Sequence, residues 1–174
     1  MALLECVPNF SEGRNPEVIR QIADAIRAVP GVYLLHTDPG KAAHRTVITF
    51  AGSAERVVEA AFQAIKTASE QIDMSQHHGE HPRLGATDVC PLIPIEGISM
   101  EECVVLAQKL GERVGRELKI PVFLYERAAT KPSRRNLALI RAGEYEGLAD
   151  KLRNPEWQPD FGPAVFNSRS GATV

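Results

Sequence analysis

Three stretches of the chain place apolar side chains at helical spacing. Residues 16–29 form the first stretch, where Asn15 offers a side-chain cap and Pro16 occupies the first helical position. The second stretch covers residues 53–72, and Ser53 is expected to cap it. Both patterns predict amphipathic helices that bury one face.

The third helical stretch opens on a capping box. Ser99 and Glu102 have the spacing of that motif, and apolar residues recur from there to Leu118. Beyond this helix the periodicity weakens, and a short helix is predicted over residues 133–142 with Gly143 as its stop. The rest of the chain shows turn residues and scattered aromatic residues without a period.

Short runs of β-branched and apolar residues predict the strands. These runs cover residues 3–7, 32–36, 45–51, 89–95 and 121–125. The glycine and proline within residues 37–43 indicate a turn between the second and third strands. Because proline cannot donate to a sheet ladder, the proline-bearing strand over residues 89–95 is expected near a sheet edge.

The order of these elements predicts an α+β fold. A ferredoxin-like split βαβ sandwich, with an antiparallel sheet and helices on one face, accounts for the order best. A doubly wound parallel sheet is disfavoured, because too few residues separate the second and third strands for a helical crossover. We expect one domain over residues 1–174, with a core of about 1–126 and a C-terminal extension of about 127–174.

Composition excludes some classes of function. The 174 residues are 44% hydrophobic and 24% charged, as in ordinary globular proteins. Twenty basic and 22 acidic residues give a net charge of -2, so no overall field attracts nucleic acid or anionic lipid. The chain has no run of roughly 18 apolar residues, and Glu5 stands where a signal peptide is apolar, so a cytoplasmic location is expected. Cys6, Cys90 and Cys103 are expected to be reduced, buried thiols.

The candidate chemistry is concentrated in residues 73–94, which hold three of the five histidines. Residues 77–83 read His-His-Gly-Glu-His-Pro-Arg and contain the H-x-x-E-H spacing of a zinc site. Such a site needs a helix to bring its ligands onto one face. Gly79 and Pro82 disfavour a helix here, so no metal is expected.

The same loop resembles the active-site loop of the formiminotransferase family, the folate enzymes of histidine breakdown. Further motifs of that family are matched at residues 5–13, 85–91, 141–146, 159–163 and 171–174. The resemblance runs from end to end of the chain. It implies transfer of a formimino group from N-formimino-L-glutamate to N5 of tetrahydrofolate, which serves as co-substrate in one-carbon metabolism. A related donor such as N-formylglutamate is an open alternative.

The resemblance also implies roles for single residues. His81 corresponds to the general acid/base, which moves a proton between the two amines. Asp38 corresponds to an active-site aspartate that orients or stabilises the histidine, and a turn aspartate that caps its own backbone is the alternative. Arg45 corresponds to a substrate-binding arginine, and Arg83 and Glu80 are further candidates for substrate binding.

A stretch near the C-terminus corresponds to the family's folate-binding segment. Its members are Gly162, Pro163, Ala164, Val165, Phe166, Asn167, Ser168, Arg169, Ser170 and Gly171. The borders of this stretch match the family, whereas the interior residues 167–170 differ from it. A C-terminal tail that packs on the domain is the alternative interpretation.

Family transferases have two related halves, with the substrates in the cleft between them. The resemblance therefore implies a second formiminotransferase half, or a homodimer, as partner, together with the two small-molecule substrates. Two classes of function follow. The first is a formimino transferase, complete or in need of its second half, and the second is a non-catalytic half-module that binds folate or another subunit.

Overall fold

The computed structural model describes residues 2–174, and within them the chain forms six strands and five α-helices. The strands are β1 (Leu3–Cys6), β2 (Asn9–Phe10), β3 (Val32–Gly40), β4 (Arg45–Ser53), β5 (Thr87–Val89) and β6 (Leu92–Glu96). The helices are α1 (Pro16–Arg27), α2 (Ala54–Gln71), α3 (Met100–Leu118), α4 (Leu137–Arg141) and α5 (Glu144–Arg153). Short 3-10 turns lie at Met74–Gln76, Glu126–Ala128, Pro132–Arg134 and Pro155–Trp157.

The strands form one antiparallel sheet. β4 pairs with β3 on one side and with both β1 and β2 on the other. On the far side of these two strands, β6 pairs with β1 and β5 pairs with β2. β1 and β2 therefore act as one interrupted strand, and β5 and β6 as another. The resulting order is fourth, first, third and second strand of the chain, which confirms the predicted ferredoxin-like split βαβ fold.

The main core lies between the sheet and the first three helices. Along β4, Thr46, Ile48 and Phe50 are buried and the residues between them are half-buried, as expected for a strand with one face on the core. Helices α1 and α2 pack against each other, and α3 packs against α2 and β6. The helices thus lie on one face of the sheet.

The opposite face of the sheet, called the open face below, carries the residues that alternate with the buried ones. One row of cross-strand neighbours on it consists of Tyr33, Ala51, Glu5 and Ile93. A second row, nearer the tip of the β3–β4 hairpin, consists of Asp38, Val47 and Asn9. Arg45 stands beside this second row, because residues two apart on a strand share a face. The open face therefore carries mainly apolar side chains, with Glu5 among them, at one end, and it is more polar at the other.

Two of the predicted helix caps are confirmed. The Asn15 side chain accepts hydrogen bonds from the backbone N–H groups of α1's first turn, and Ser99 and Glu102 complete the capping box of α3. Ser53 occupies the cap position of α2, but its side chain makes no capping hydrogen bond. No helix within residues 2–174 has the length and apolar character needed to cross a membrane.

Two strand boundaries differ from the prediction. β3 continues to Gly40, so residues 37–40 pair with β4 and only residues 41–44 form the turn. The single strand predicted over residues 89–95 is instead divided into β5 and β6, because Pro91 at the junction has no N–H group to donate. The edge position is confirmed, since β5 and β6 each pair with one other strand.

The region after α3 was predicted least well. Instead of a strand over residues 121–125, only Val122 forms isolated bridges. The helix predicted over residues 133–142 is limited to α4 and a preceding 3-10 turn. Gly143, predicted as a stop, has a φ of 86° and leads directly into α5. α5 was missed because its buried face is narrow, with Leu148 and Leu152 as its buried residues.

The C-terminal part of the chain packs around a second cluster of buried apolar side chains. Its members are Leu84, Val89, Phe123, Ile140, Leu148, Leu152, Ala172 and Val174. An ion pair between Arg134 and Asp160, at 2.8 Å, is almost fully buried beside it. Because Leu84 and Val89 belong to the histidine-rich segment, this second cluster anchors the end of that segment.

Candidate active site

The histidine-rich segment packs against the tip of the β3–β4 hairpin. Asp73 begins the segment and caps a 3-10 turn by accepting a hydrogen bond from the backbone N–H of Ser75 at 3.0 Å. Further along, a Cβ atom at Gly79 would collide with the carbonyl oxygen of Ala43. Only glycine permits so close an approach of two backbones. The segment is thereby held beside Arg45, the first residue of β4.

His81 and Arg45, which are 36 positions apart in the chain, meet at this point. The Arg45 Nη1 atom lies 2.5 Å from His81 Nε2. A guanidinium group only donates, so Nε2 is the acceptor, and in the neutral ring Nδ1 then carries the hydrogen. Nδ1 accordingly donates to the carbonyl oxygen of Pro82 at 2.7 Å. The His81 ring is half-buried and holds its basic nitrogen toward a cation.

Arg83 is buried and uses all of its donors within the chain. Its Nε donates to His77 Nδ1 at 3.0 Å, and Nη2 donates to the His77 carbonyl at 3.0 Å and to Glu146 at 2.7 Å. Nη1 donates to Glu144 and Glu146 at 2.9 and 2.8 Å. A guanidinium has five N–H donors, so none is left for the substrate carboxylate predicted for Arg83. The residue ties the loop to α5 instead.

Two further histidines, His44 and His77, connect the loop to the tip of the β3–β4 hairpin. Their rings stack with centroids 4.4 Å apart. His77 Nδ1 accepts from Arg83, so its Nε2 donates to the His44 carbonyl at 2.9 Å. His44 Nδ1 accepts from the backbone N–H of Gly13 at 3.0 Å. Both ring nitrogens of His77 are therefore engaged, and neither is available to a metal.

The surroundings of these two histidines favour their neutral forms. Burial lowers the pKa of His77, and the Arg83 charge lowers it further. The hydrogen bond to the His44 carbonyl acts in the opposite direction and raises this pKa. Burial also lowers the pKa of His44, and the nearby His77 contributes to the shift. Two neutral rings near pH 7 fit a structural role rather than proton transfer.

Asp38 and Glu80, the two predicted acidic site residues, differ in their settings. Asp38 pairs with Val47 within the sheet, so the alternative of a turn aspartate is wrong. Its exposed carboxylate stands on the open face, on the same face as Arg45. Glu80 is exposed on the loop, next to His81.

The predicted folate-binding stretch, residues 162–171, is fixed at both ends and exposed between them. Gly162 fits against the end of α3 with a φ of 80°, and Gly171 forms a bridge with Gly85. Between them, 66% of Val165 is exposed. The carbonyl of Arg169 accepts from the backbone N–H of Met74 at 2.8 Å, so the fold brings this stretch to the start of the histidine-rich segment.

Two site contacts were not predicted from the sequence. Glu144 and Glu146 hold Arg83, although the motif that contains them was noted without a role. Asp88, which is 1% exposed, accepts from the Leu84 N–H at 3.0 Å and from Arg141. Both contacts join the loop to the C-terminal part of the chain, and periodicity gives no signal for pairs so distant in sequence.

Comparison with known proteins identifies close relatives. The family model described as "Formiminotransferase domain, N-terminal subdomain" matches residues 3–174. Formimidoyltransferase-cyclodeaminase of Mus musculus is 58% identical over 172 residues, which are 99% of this chain and 32% of that protein. Glutamate formimidoyltransferases of Streptococcus pyogenes serotype M1 and Thermoplasma acidophilum are each 48% identical over 99% and 100% of this chain. In both, the chain spans 58% of the relative's length.

Proposed function

The chain belongs to the formiminotransferase family, and from this we propose that it is the half of a glutamate formimidoyltransferase that supplies the proton-transferring histidine. The reaction moves a formimino group from N-formimino-L-glutamate to N5 of tetrahydrofolate. The observation that carries the proposal is the pairing of His81 Nε2 with Arg45 at 2.5 Å, at the polar end of the open face. A general base and a carboxylate-binding cation are the two groups this reaction requires.

His81 acts on both amines of the reaction. As N5 of tetrahydrofolate attacks the formimino carbon, it loses a proton to His81 Nε2. His81 then donates this proton to the departing glutamate nitrogen as the bond between that nitrogen and the formimino carbon breaks. The hydrogen bond from Nδ1 to the Pro82 carbonyl keeps the lone pair on Nε2 and stabilises the ring when it is doubly protonated. A single imidazole therefore serves as base and then as acid.

Arg45 couples substrate binding to this proton transfer. Its guanidinium covers His81 Nε2 in the present arrangement. When a substrate carboxylate binds the guanidinium, the arginine turns from the imidazole to the carboxylate, since charge-assisted bidentate pairs are stronger than a bond to a neutral ring. The Nε2 lone pair is then exposed to the attacking amine only while substrate is present.

The other predicted site residues take supporting roles. Asp38, on the same face as Arg45, is assigned the role of orienting or charge-stabilising the histidine. Glu80 binds substrate amino groups from the loop. The stretch of residues 162–171 holds the folate, with its exposed middle turned to solvent and its ends fixed. No metal takes part in the proposed reaction.

The second half of the enzyme covers the open face. The chain spans about a third to three fifths of its relatives' lengths, and the exposed apolar residues Tyr33 and Ile93 lie on the same face as Arg45. A second half, or a second copy of this chain, placed there would close the cleft over the His81–Arg45 pair. Closure would exclude water and hold both substrates in line.

The test is a comparison of two histidine variants in the assay of 5-formiminotetrahydrofolate formation. His81→Ala should lower kcat by roughly 10²- to 10⁴-fold, the usual contribution of a general acid/base, while KM changes little. His78→Ala, at an exposed neighbour in the same loop, should retain activity. Near-normal turnover of His81→Ala would refute the proposed role.

The same assay separates the two classes of function. The chain is measured alone and after addition of a homologous second half. Turnover in either sample supports the transferase. If the chain binds tetrahydrofolate but neither sample turns over, it is a non-catalytic module, and the proposed activity is abandoned.

A further inference from the structure

Two of the three cysteines line one cavity and the third contacts one of them, although all three are far apart in the sequence. The cavity, of about 380 Å³, is bounded by α3, β6 and residues 122–128, and both Cys90 and Cys103 line it. Cys6 is fully buried, and its Sγ lies 3.6 Å from Cys90 Sγ. The other walls are largely apolar, with side chains such as Val104 and Leu110. The cavity thus gives small molecules a route to one member of a thiol pair.

We propose that Cys90 and Cys6 form a peroxide-sensitive modification site, in which Cys90 is oxidised first and Cys6 then converts it to a disulfide. The ligand of this site is a small neutral hydroperoxide, hydrogen peroxide being the simplest. The two thiols differ in access, because Cys90 is half-buried at the cavity whereas Cys6 is 0% exposed. Access therefore fixes the order of the two steps.

The chemistry balances in two steps. Cys90 releases its proton, and the thiolate attacks one oxygen of the peroxide. The O–O bond breaks, and the hydroxide that leaves takes up the released proton, so the products are Cys90 sulfenic acid and water. The Cys6 sulfur then attacks the Cys90 sulfur, the S–O bond breaks, and a second water leaves with the Cys6 proton. Two thiols are oxidised to a disulfide and one peroxide is reduced to two waters.

Formation of the disulfide requires the two sulfurs to move closer together. A disulfide needs an S–S distance of about 2.05 Å, against the present 3.6 Å, so a movement of about 1.5 Å is required. Cys6 ends β1 and Cys90 lies between β5 and β6, where both strands are interrupted. The one backbone bond across this gap, from Val7 N–H to the Pro91 carbonyl, is long at 3.4 Å. Cys6 stays paired with Phe50 and Leu92 on the neighbouring strands, and the Cys90 N–H donates to the Val174 carbonyl at 2.8 Å. The approach must therefore come mainly from rotation of the two side chains.

Proximity must drive the second step. Burial raises the pKa of the Cys6 thiol well above its ordinary value, and its contact with Cys90 adds to the shift. Cys6 is therefore a poor nucleophile toward reagents in solution. An attack on a sulfenic acid at van der Waals distance is effectively intramolecular, which compensates for the low thiolate fraction.

Cys103 offers a matched control within the same cavity. It is a free cysteine, it lines the same walls as Cys90, and burial raises its pKa. Its sulfur has no second thiol among its hydrogen-bond contacts in residues 2–174. Oxidation that depends only on access to the cavity would affect Cys103 as well, whereas oxidation that depends on a resolving thiol would select Cys6 and Cys90.

The test is intact and peptide mass spectrometry of the full chain after exposure to hydrogen peroxide and alkylation in denaturant. The expected product has lost two hydrogens and takes up one alkyl group, at Cys103, with the peptides of Cys6 and Cys90 cross-linked until dithiothreitol is added. In Cys6→Ser, Cys90 should stop at a sulfenic acid that dimedone traps, and Cys103→Ser should leave the cross-link unchanged.

If a serine variant fails to fold, mass spectrometry of the unmodified chain is sufficient to test the proposal. Three alkylated cysteines after a dose that oxidises free cysteine would overturn it, and so would a cross-link that includes Cys103. Sulfinic acid at Cys90 in place of the disulfide would also overturn it, because Cys6 would then have failed to resolve the intermediate. None of these readouts depends on transferase activity.

Discussion

At the scale of single residues, His77 and His81 belong to the same loop but differ in what their ring nitrogens contact. His77 is 4% exposed, and both of its nitrogens are held by the chain. His81 is half-buried, and its Nε2 contacts the Arg45 side chain, which we propose turns to the substrate carboxylate. A proton-transferring group needs one nitrogen that reaches the reactants, and of these two histidines His81 alone meets this requirement.

Replacement of Arg45 should affect substrate binding more than the chemical step. Arg45→Lys retains the charge but loses the fork that matches a carboxylate. Loss of a hydrogen bond to a charged group costs about 1.5–3 kcal/mol, so KM for N-formimino-L-glutamate should rise roughly 10- to 100-fold, with a smaller change in kcat. Steady-state kinetics in both substrates measures this. An unchanged KM for the donor would show that Arg45 does not bind it.

The neutral histidine pair should make the chain less stable in weak acid. For a histidine whose folded pKa is lowered, the unfolded state takes up a proton first as pH falls. The stabilisation is complete above the ordinary histidine pKa of about 6.5, and it declines as pH falls from there toward the lowered pKa of the folded state. Urea unfolding between pH 7.5 and about 5 should therefore show a fall in the free energy of unfolding.

His77→Gln should flatten this pH dependence while lowering stability at pH 7.5. Glutamine does not titrate, but it loses part of the contact with Arg83 and the stacking on His44. His78→Gln, at the exposed adjacent position, is the control and should keep the slope of the unmodified chain. Equal slopes in all three proteins would show that His77 does not titrate on unfolding.

At the scale of elements, the active-site loop is held by three others. The β3–β4 hairpin tip contacts it at Gly79 and carries Arg45. Glu144 and Glu146 of α5 hold the loop through Arg83, and Gly171 near the C-terminus forms a bridge with Gly85 of the loop. A loop without regular hydrogen bonds of its own needs such external contacts to hold a catalytic side chain in place.

Glu146→Ala should loosen the loop. It removes two of the acceptors of a buried guanidinium, which leaves N–H groups short of partners. Because the Glu146 carboxylate is well exposed, water can replace part of its hydrogen bonding to Arg83. The free energy of unfolding should therefore fall by about 1–2 kcal/mol. Urea unfolding measures the change, and hydrogen exchange of residues 77–84 locates it.

The matched control for this change is Glu156→Ala. Glu156 pairs with Lys131 at 3.5 Å between two exposed side chains, and such pairs contribute up to about 1 kcal/mol. A larger loss of stability in Glu156→Ala than in Glu146→Ala would mean that the Arg83 cluster does not support the loop.

At the scale of the whole molecule, the open face combines the polar site with an unpartnered apolar end. Tyr33 is 69% exposed and Ile93 is 38% exposed, and both lie in one row across the sheet. Exposed apolar groups of this size on a sheet face are typical of a surface that another chain or domain covers. The His81–Arg45 pair lies at the same face, so we expect this cover to form the proposed cleft as well.

Tyr33→Glu should weaken assembly without unfolding the chain. An exposed side chain contributes little to the fold, so the free energy of unfolding should change by less than about 0.5 kcal/mol. A buried charge in the assembled protein is costly, so association with the second half, measured by analytical ultracentrifugation, should fall. Leu139→Glu, at an exposed residue of α4, is the control. Equal association of both variants would place the interface elsewhere.

The sequence by itself determined the fold class, and it singled out His81 as the histidine proposed for proton transfer. The spacing of apolar residues shows which side of each helix and strand is buried. This local pattern was sufficient to predict α1, α2, α3 and the split βαβ order. The proposed role of His81 came from the resemblance of a local motif to the family, and Pro82 stiffens the chain beside it. Of the two C-terminal helices, α4 lies within the helix predicted over residues 133–142, whereas α5 was missed because its hydrophobic period is weak.

Only the tertiary structure decided how the predicted residues are used. Arg45 and Arg83 are the same residue type beside the same loop, yet one meets His81 at the open face and the other is enclosed by Glu144 and Glu146. That difference depends on which distant elements pack together, and no local pattern records it. The physical reason is that the function of a charged side chain is set by its partners and its burial, which exist only once the chain has folded.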